Sequence, residues 1–234
     1  MSPSHAVLAL SALLALAACS LWPFGRGPSP RVAVVPVEQA PPRAPAAPLL
    51  QQQPAPTGGC SVVLYGDSIL HGGYDGTKRL DEPPAAVLKR TRPRFTVEDV
   101  TVNGETANFR AAGFAAERRG ARFVVIAHGI NDAAQSLPLE APLRAMVNTA
   151  RGEGRVVILT GLSHQRLAIP GRDRYDAVIR KVARDTGVAF ADWGSVEYRA
   201  ADMADLIHPA QPYSERLVKR IADVLDALAP ECRV

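Results

Sequence analysis

From residue 60 onward, short apolar runs alternate with segments of helical periodicity, and this alternation constrains the fold more than any other feature. The apolar runs predict strands at residues 61–65, 95–102, 122–127, 156–160 and 188–192. The segments between and after them predict helices at about 84–90, 106–118, 142–152, 174–185 and 214–229. Strands that alternate with helices in this way form a parallel sheet covered on both faces. We therefore predict a three-layer α/β/α domain at residues 60–234, with a five-stranded parallel sheet.

The composition is that of a globular protein and excludes few functions. Of the 234 residues, 47% are apolar, which is enough for one sizeable core. The formal net charge is +4, and the basic residues are spread along the chain without a run. Because no nucleic-acid recognition motif accompanies this modest charge, we do not expect nucleic-acid binding.

The N-terminus is typical of a signal peptide. Residues 6–18 form a mostly small, apolar stretch that is too short to span the ~30 Å core of a bilayer as a helix. The Leu-Ala-Ala-Cys sequence at residues 16–19 resembles the lipobox of bacterial lipoproteins. The resemblance implies that residues 1–18 are removed and that Cys19 is lipidated, for example with palmitate. This would anchor the protein in the cell envelope, at the outer membrane facing the periplasm. An ordinary secretory signal is the alternative, and both readings predict an exported domain.

A flexible linker is predicted at residues 19–59. Ten of the twenty prolines lie between residues 21 and 59, where no periodicity is sustained. Segments rich in proline favour extended polyproline II and do not bury a core. A tether of ~39 residues at 3.1 Å per residue could reach on the order of 100 Å, which would let the domain work away from the membrane.

Two cysteines, Cys60 and Cys232, remain when Cys19 is set aside. Cys60 precedes the first predicted strand and Cys232 follows the last predicted helix. Since the helices run antiparallel to the strands, both cysteines are expected at the edge of the sheet opposite the strands' carboxyl ends. Export to an oxidising compartment would allow a disulfide between them. Two unpaired thiols are the alternative, because the sequence gives no distance.

Polar motifs follow the first three predicted strands. They are Gly-Asp-Ser at residues 66–68, Asn-Gly at 103–104 and Gly-Ile-Asn-Asp at 129–132. In open parallel sheets, ligands bind at the carboxyl ends of the strands, where the strand order reverses. In the flavodoxin-like order 2-1-3-4-5 these three strands are neighbours. We therefore expect the three motifs to converge on one crevice.

A fourth motif, Asp-Leu-Ile-His-Pro at residues 205–209, supplies an acid and a base near the C-terminus. A serine hydroxyl is a poor nucleophile until a neighbouring base takes its proton, and histidine can do this near neutral pH. A carboxylate can fix the tautomer of that histidine. These requirements predict Ser68 as nucleophile, His208 as base and Asp205 as the acid that orients it.

Together, in this order, the four motifs resemble the four blocks of the SGNH (GDSL) hydrolase family, which carry Ser, Gly, Asn and His. The resemblance covers residues 61 to about 228. It implies that the backbone N–H of Ser68, the backbone N–H of Gly104 and the side chain of Asn131 bind an oxyanion. It also implies a flavodoxin-like sheet and no cofactor.

Three further histidines lie near these motifs and are predicted to line the substrate pocket: His71, His128 and His164. Ser163 and His164 as a rival nucleophile and base are disfavoured, because neighbours in sequence rarely align for proton transfer. No metal site is expected, since no ligand spacing such as His-Glu-x-x-His occurs. Asp67 and Asp132 are predicted to be structural, as short carboxylates that hold loop N–H groups.

The expected function is that of a serine esterase acting through an acyl-enzyme on an ester or thioester of the cell envelope. Two substrate classes stay open: acyl groups on lipids or thioesters, and small acyl groups such as acetyl on polysaccharide. Residues 72–81 offer no long apolar lid, which favours small or exposed acyl groups. Two other functions also stay open, a non-catalytic envelope binding protein on the same fold and an O-acyltransferase. The oligomeric state is not predicted.

Overall fold

Residues 59–233, the part of the chain that the computed structural model describes, are built around a five-stranded sheet. The predictions for residues 1–58, including Cys19, lie outside this part. The strands are β1 (Ser61–Gly66), β2 (Gly73–Tyr74), β3 (Lys78–Arg79), β4 (Thr96–Asp99), β5 (Phe123–Ala127), β6 (Val156–Thr160) and β7 (Ala189–Ala191). The sheet has the order β4-β1-β5-β6-β7, and all its neighbours pair in parallel. If the five strands of this sheet are numbered 1 to 5 in chain order, the order reads 2-1-3-4-5, which confirms the predicted fold.

Strand β1 lies next to the edge of the sheet and pairs with β4 on one side and with the central strand β5 on the other. Leu64 lies opposite Asp99 in β4 and opposite Val125 in β5. Every residue of β5 is buried, as are five of the six in β1. An apolar run without alternation is what a parallel strand covered on both faces requires.

The helices are α1 (Ser68–His71), α2 (Pro84–Thr91), α3 (Ala107–Phe114), α4 (Ile130–Ala134), α5 (Glu140–Gly152), α6 (Arg172–Thr186) and α7 (Gln211–Leu228). Helices α2 and α7 contact each other, while α5 lies between α3 and α6. Right-handed crossovers place these two groups on opposite faces of the sheet. In α7, the buried residues Leu217, Ile221 and Leu225 recur every four positions and form the stripe that faces the sheet.

Several predicted elements are shorter in the structure, for local reasons. Strand β4 ends at Asp99, whose carboxylate accepts hydrogen bonds from the N–H and hydroxyl of Thr101, although the N–H groups of Val100 and Val102 still donate to carbonyls of β1. Helix α3 ends at Phe114, four residues before the predicted end. The guanidinium of Arg119 donates to the Phe114 carbonyl at 2.6 Å and satisfies a group that the next turn would have used.

Helix α4 and the β2–β3 hairpin were not predicted. Both are too short to produce a periodic pattern, since α4 has five residues and each hairpin strand has two. Helices α5 and α7 begin two and three residues earlier than predicted, with a proline in the first turn of each. Proline is tolerated there because the first N–H groups of a helix have no partner within it.

Cys60 and Cys232 form a disulfide that joins the residue before β1 to the short 3₁₀ turn Pro230–Cys232 after α7. The bridge lies at the amino end of β1, whereas Ser68 follows its carboxyl end. Within residues 59–233, no helix has the length and apolar character needed to cross a membrane.

Candidate active site

Ser68 is the first residue of α1, directly after the turn that ends β1. Asp67 caps this helix, its carboxylate accepting a hydrogen bond from the N–H of Ile69 at 2.9 Å. The turn is tight, because a Cβ on residue 66 would lie 2.9 Å from the Cβ of Leu70, so that only glycine fits. The N–H of Ser68 has no partner within the helix, as expected of a first helical residue.

The imidazole of His208 connects Ser68 to Asp205. Its Nε2 lies 2.9 Å from Ser68 Oγ, and its Nδ1 lies 2.7 Å from Asp205 Oδ2. The structure therefore brings together the three residues that the sequence predicts as nucleophile, base and acid, although Ser68 and His208 are separated by 140 positions.

Backbone hydrogen bonds hold the loop that carries Asp205 and His208. The N–H of Ala204 donates to the carbonyl of His208 at 2.9 Å, which closes the loop on itself. From the β6–α6 loop, Leu167 donates to the carbonyl of Leu206 at 2.8 Å. The position of the imidazole thus depends on two loops that start from different strands.

The carboxylate of Asp205 accepts four hydrogen bonds. The N–H groups of Ile207 and His208 donate to Oδ1, both at 2.7 Å, while the N–H of Asp75 donates to Oδ2 at 3.1 Å, beside the imidazole. Partial burial alone would raise the pKa of Asp205, but these bonds outweigh it and hold the pKa well below its usual range. An ionised carboxylate only accepts hydrogen bonds, so Nδ1 of His208 carries the proton and Nε2 is free to take one from Ser68.

The loops after β4 and β5, the two neighbours of β1, are tied to each other. Gly104 follows β4 in the left-handed conformation, with φ of 74°. Asn131, in α4, donates from Nδ2 to the carbonyl of Glu105 at 3.0 Å. The carboxylate of Asp132 accepts from the N–H of Ala107 at 2.9 Å. These bonds bring Asn131 to the residue that follows Gly104, so two of the predicted oxyanion donors share one supporting loop.

Beneath this loop lie charged side chains to which the sequence assigned no role. Glu105 is 5% exposed and bonds to the ring of His128, which is 1% exposed, and to the guanidinium of Arg110. A ring so deeply buried does not line an open pocket, so the predicted pocket role of His128 is replaced by this contact. In the sequence, the one indication that Glu105 supports the site was its position directly after Gly104.

The other two histidines lie at the same edge of the sheet. His71 Nδ1 is 3.0 Å from the hydroxyl of Thr101, and burial, followed by the charge of Arg79, lowers the pKa of this imidazole. His164 borders a cavity of about 300 Å³ in the β6–α6 loop. Its Nε2 donates to the carbonyl of Gly194 at 3.0 Å, so its ring is not paired with Ser163.

A second cavity, of about 570 Å³, lies between α2 and α7. Its lining includes Val87, Arg90, Glu215 and Val218 but no residue of the four motifs. The cavity beside His164 likewise has no residue of the four motifs in its lining, so neither cavity marks the position of the predicted chemistry.

No group of three or more His, Cys, Asp or Glu side chains that could hold a metal ion occurs within residues 59–233.

Asp67 is fully enclosed beside the site, and burial raises the pKa of its carboxyl to about 6. Its partner is the N–H of Ile69, which is the loop-holding role predicted from the sequence.

Comparisons with known proteins lead to one family. A family model described as GDSL-like lipase/acylhydrolase matches residues 64–225. A protein described as lipolytic and of the G-D-S-L family, from Desulfitobacterium hafniense DCB-2, is 20% identical with a TM-score of 0.62, over 71% of this chain and 99% of that chain. The psychrotrophic esterase EstA from Pseudoalteromonas sp., inhibited by monoethylphosphonate, is 15% identical with a TM-score of 0.61. The match covers 73% of this chain and 99% of EstA. A lipase/acylhydrolase from Enterococcus faecalis is 22% identical with a TM-score of 0.60, and the match covers 72% of this chain and 96% of that chain. No curated protein matches the chain.

Proposed function

Because this chain belongs to the GDSL-like lipase/acylhydrolase family, we propose that it is a serine esterase that hydrolyses an ester or thioester through an acyl-enzyme on Ser68. One observation carries the proposal. Ser68 Oγ, His208 and Asp205 form an unbroken hydrogen-bonded series with distances of 2.9 and 2.7 Å. Both distances are within the range for direct proton transfer between side chains.

In the first half of the reaction, Ser68 Oγ attacks the carbonyl carbon while His208 Nε2 takes the hydroxyl proton. The carbonyl oxygen becomes an oxyanion, which the N–H groups of Ser68 and Gly104 and the side chain of Asn131 would bind. When the tetrahedral intermediate collapses, the bond to the leaving oxygen or sulfur breaks and His208 returns the proton to that atom. An ester of Ser68 remains.

In the second half, water repeats the same steps on the acyl-enzyme. His208 takes a proton from water, and the hydroxide attacks the ester carbon. The proton then returns to Ser68 Oγ as the carboxylic acid leaves. Asp205 stays ionised throughout and stabilises the imidazolium that forms twice in the cycle, which its low pKa supports.

The geometry of Asn131 supports its role as an oxyanion donor. An amide nitrogen carries two hydrogens, and the carbonyl of Glu105 accepts one of them. The other remains for the oxyanion. Removing one such donor typically reduces turnover ~10²- to 10³-fold, so Asn131 should matter nearly as much as the triad.

Exposed apolar side chains support an apolar acyl group as the substrate. The large hydrophobic residues exposed within residues 59–233 are Val102, Phe109, Leu167, Leu206 and Leu228. All except Leu228 lie on the loops and helix start that follow β4 and β6 or on the loop of His208. We propose that Val102, Phe109, Leu167 and Leu206 contact the acyl chain of a lipid or thioester. Acetyl groups on polysaccharide are the alternative, and hydrolysis of p-nitrophenyl acetate alone in a chain-length series would favour them.

Labelling with a fluorophosphonate tests the proposed nucleophile. The full-length protein and its Ser163→Ala variant should take the label, and Ser68→Ala should not, because within residues 59–233 the Ser68 hydroxyl is the one that hydrogen-bonds to His208. Phosphonate inhibition of the similar EstA supports the choice of probe. Label retained by Ser68→Ala, or absent from the wild-type protein, would contradict the proposal.

The two other candidate functions give different results in the same assay series. A non-catalytic binding protein would show no turnover of any ester. An O-acyltransferase would be labelled at Ser68 but would release the acyl group to an added alcohol in preference to water. Product analysis with and without glycerol separates transfer from hydrolysis.

We further propose that the protein acts at the bacterial cell envelope, anchored by a lipid on Cys19. The Leu-Ala-Ala-Cys sequence at residues 16–19 supports this location. Cys19→Ala should move the protein from the membrane fraction to the soluble fraction. Unchanged fractionation would favour an ordinary secretory signal instead.

A further inference from the structure

The loop that carries Gly104 rests on a buried carboxylate, that of Glu105. Arg110 Nε lies 2.9 Å from its Oε2, and Arg110 Nη2 lies 2.8 Å from its Oε1. The ring of His128 approaches Oε2 as well, with Nε2 at 2.9 Å. Both oxygens are therefore held, from α3 on one side and from the turn after β5 on the other.

The backbone of Glu105 lies between the two oxyanion donors that are not on β1. Its own N–H donates to the carbonyl of Val102 at 3.3 Å, and its carbonyl accepts from Asn131 Nδ2 at 3.0 Å. The peptide unit that ends at its nitrogen begins at Gly104. The Gly104 N–H belongs to the preceding peptide unit, which shares the Gly104 Cα with this one. Movement of residue 105 would therefore displace the side chain of Asn131 directly and would turn the Gly104 N–H through that Cα.

The charge state of this group fits a rigid support. Burial alone would raise the pKa of Glu105, but hydrogen bonds from His128 and Arg110 outweigh it and leave the pKa below its usual range. As a carboxylate at neutral pH, Glu105 accepts the Nε2 proton of His128. The Nδ1 atom of that ring is buried and has no hydrogen-bond partner among residues 59–233, so the bond to Glu105 is the one hydrogen bond there that orients the imidazole.

We propose that Glu105 is a positioning residue of the oxyanion hole, held by His128 and Arg110, which fixes the Gly104 N–H and orients the side chain of Asn131. This inference rests on the proposed function. Glu105 contacts no substrate in this scheme and acts through the two donors. A preorganised donor is effective because it does not have to reorient as the oxyanion forms. Loss of the support should therefore lower kcat and leave KM unchanged.

The kinetic test compares Glu105→Ala with a matched control in the full-length protein. The control is Glu153→Ala, which breaks the pair between Glu153 and the buried Arg119, where Nη2 lies 2.7 Å from Oε1. That pair joins the residue after α5 to the segment before β5, and it connects to Glu105 only indirectly, through Tyr65, Glu117 and Arg110. With p-nitrophenyl acetate, kcat should fall about 10- to 100-fold in Glu105→Ala, because a donor is misplaced rather than lost. Both variants should lose thermal stability, but Glu153→Ala should keep the wild-type kcat.

A conservative variant keeps the test valid if Glu105→Ala does not fold. Glu105→Gln retains an acceptor for His128 but loses the charge that pairs with Arg110. Its kcat should lie between those of wild type and Glu105→Ala, with KM unchanged. A wild-type kcat in Glu105→Gln, together with lower thermal stability, would overturn the positioning role.

A double-mutant cycle with Asn131→Ala shows whether Glu105 acts through Asn131. Residues that act through one another have effects that do not add. In the Asn131→Ala background, Glu105→Ala should therefore lower kcat at least about threefold less than it does in the wild-type background. Equal losses in the two backgrounds would overturn the inference.

Failure of the inference differs visibly from failure of the proposed function. If Ser68 is not the nucleophile, either the wild-type protein takes no fluorophosphonate label or Ser68→Ala retains it. If only the positioning role is wrong, the wild-type protein is labelled and turns over. Glu105→Ala then behaves like Glu153→Ala, with lower thermal stability and the wild-type kcat.

Discussion

For a single residue such as Asp205, the hydrogen bonds that it makes decide both its charge and its effect on stability. Its four bonds favour the ionised form in the folded protein, because a protonated carboxyl could not accept them all. The pKa of Asp205 is lower when folded than when unfolded. Between these two values the unfolded chain binds more protons, so stability rises with pH. The contribution of Asp205 is therefore complete above its ordinary pKa and is lost as the pH falls through the folded value.

The prediction is a pH-dependent loss of stability in Asp205→Asn. At pH 7 the variant should unfold with a free energy about 1–3 kcal/mol lower than wild type, because buried N–H groups lose a charged acceptor. At pH 3 the difference should shrink, because the carboxyl of the unfolded wild-type chain gains a proton there while that of the folded protein stays ionised. Urea unfolding of both proteins at the two pH values measures this. A difference of equal size at both would show that the charge of Asp205 contributes nothing to stability.

Residues that act through a reactive side chain could be identified from the sequence, and those that act through backbone could not. Ser68, Asp205 and His208 each have the residue type that their proposed chemistry requires. Asp75 contributes an N–H, which every residue except proline possesses, so its residue type carries no signal. Glu105 contributes partly through its carbonyl, for the same reason. Whether a charged residue such as Glu105 is buried also depends on partners that only the fold brings near.

Among the elements, the β2–β3 hairpin matters because it reaches Asp205. Asp75 occupies its turn with φ of 45°, a conformation that glycine adopts readily and proline cannot. Its N–H is the donor that contacts Asp205 Oδ2. The hairpin thus helps to orient the acid that in turn orients His208.

This contact predicts different outcomes for two substitutions at one position. Asp75→Gly keeps the N–H and relieves the backbone, so kcat should stay within about twofold of wild type. Asp75→Pro removes the N–H and forces φ to about −65°, so kcat should fall about tenfold, the equivalent of one hydrogen bond. Steady-state hydrolysis of p-nitrophenyl acetate measures both. Equal kcat values in the two variants would show that the N–H of residue 75 does not contribute to the activity of the triad.

The exposed apolar side chain of Leu206 lies in the loop of the proposed base, two positions before His208. Leu206→Gln should lower kcat/KM for p-nitrophenyl octanoate about 3- to 30-fold, in line with the loss of one buried aliphatic contact. Hydrolysis of the acetate ester should be unchanged, because a two-carbon acyl group does not reach this residue.

Leu228→Gln, at the end of α7, is the matched control because this leucine is also partly exposed. It should leave hydrolysis of both esters at the wild-type level. Parallel losses on the acetate and octanoate esters in Leu206→Gln would indicate damage to the catalytic loop rather than lost contact with an acyl chain.

How well an element could be predicted depended on its burial. Strands β5 and β6 agree with their predicted bounds within one residue, because both faces are covered and the apolar run is continuous. The edge strands β4 and β7 are shorter than their apolar patterns. Past Asp99, the N–H groups of Val100 and Val102 still bond to β1, but the Asp99 carboxylate bonds to Thr101 and the regular strand ends. The five residues of α4 carry Asn131, yet they complete little more than one turn and produce no period.

For the whole molecule, the strand order follows from a few general rules applied to the pattern of elements. Right-handed crossovers and short connections leave few topologies for five strands that alternate with helices. The approach of Ser68 to His208 is a consequence of that topology, since the long segment after β7 must return across the sheet to β1. The identity of the substrate does not follow from topology, because side chains on surface loops determine it.

At the same scale, the disulfide between Cys60 and Cys232 closes almost the entire domain into one loop. The two cysteines are 172 positions apart, and in the chain-entropy model a loop of this length stabilises the folded state by about 5 kcal/mol.

The double variant Cys60→Ser, Cys232→Ser should therefore melt about 10–20 °C lower than the wild-type protein, given the size of the domain. Its kcat at 25 °C should be unchanged, because β1 separates the bridge from Ser68 by six residues, or about 20 Å. Thermal unfolding followed by circular dichroism, with hydrolysis measured on the same samples, tests both expectations. An unchanged melting temperature would mean that the bridge does not form in the protein, and a lower kcat at 25 °C would mean that the two ends of β1 are not independent.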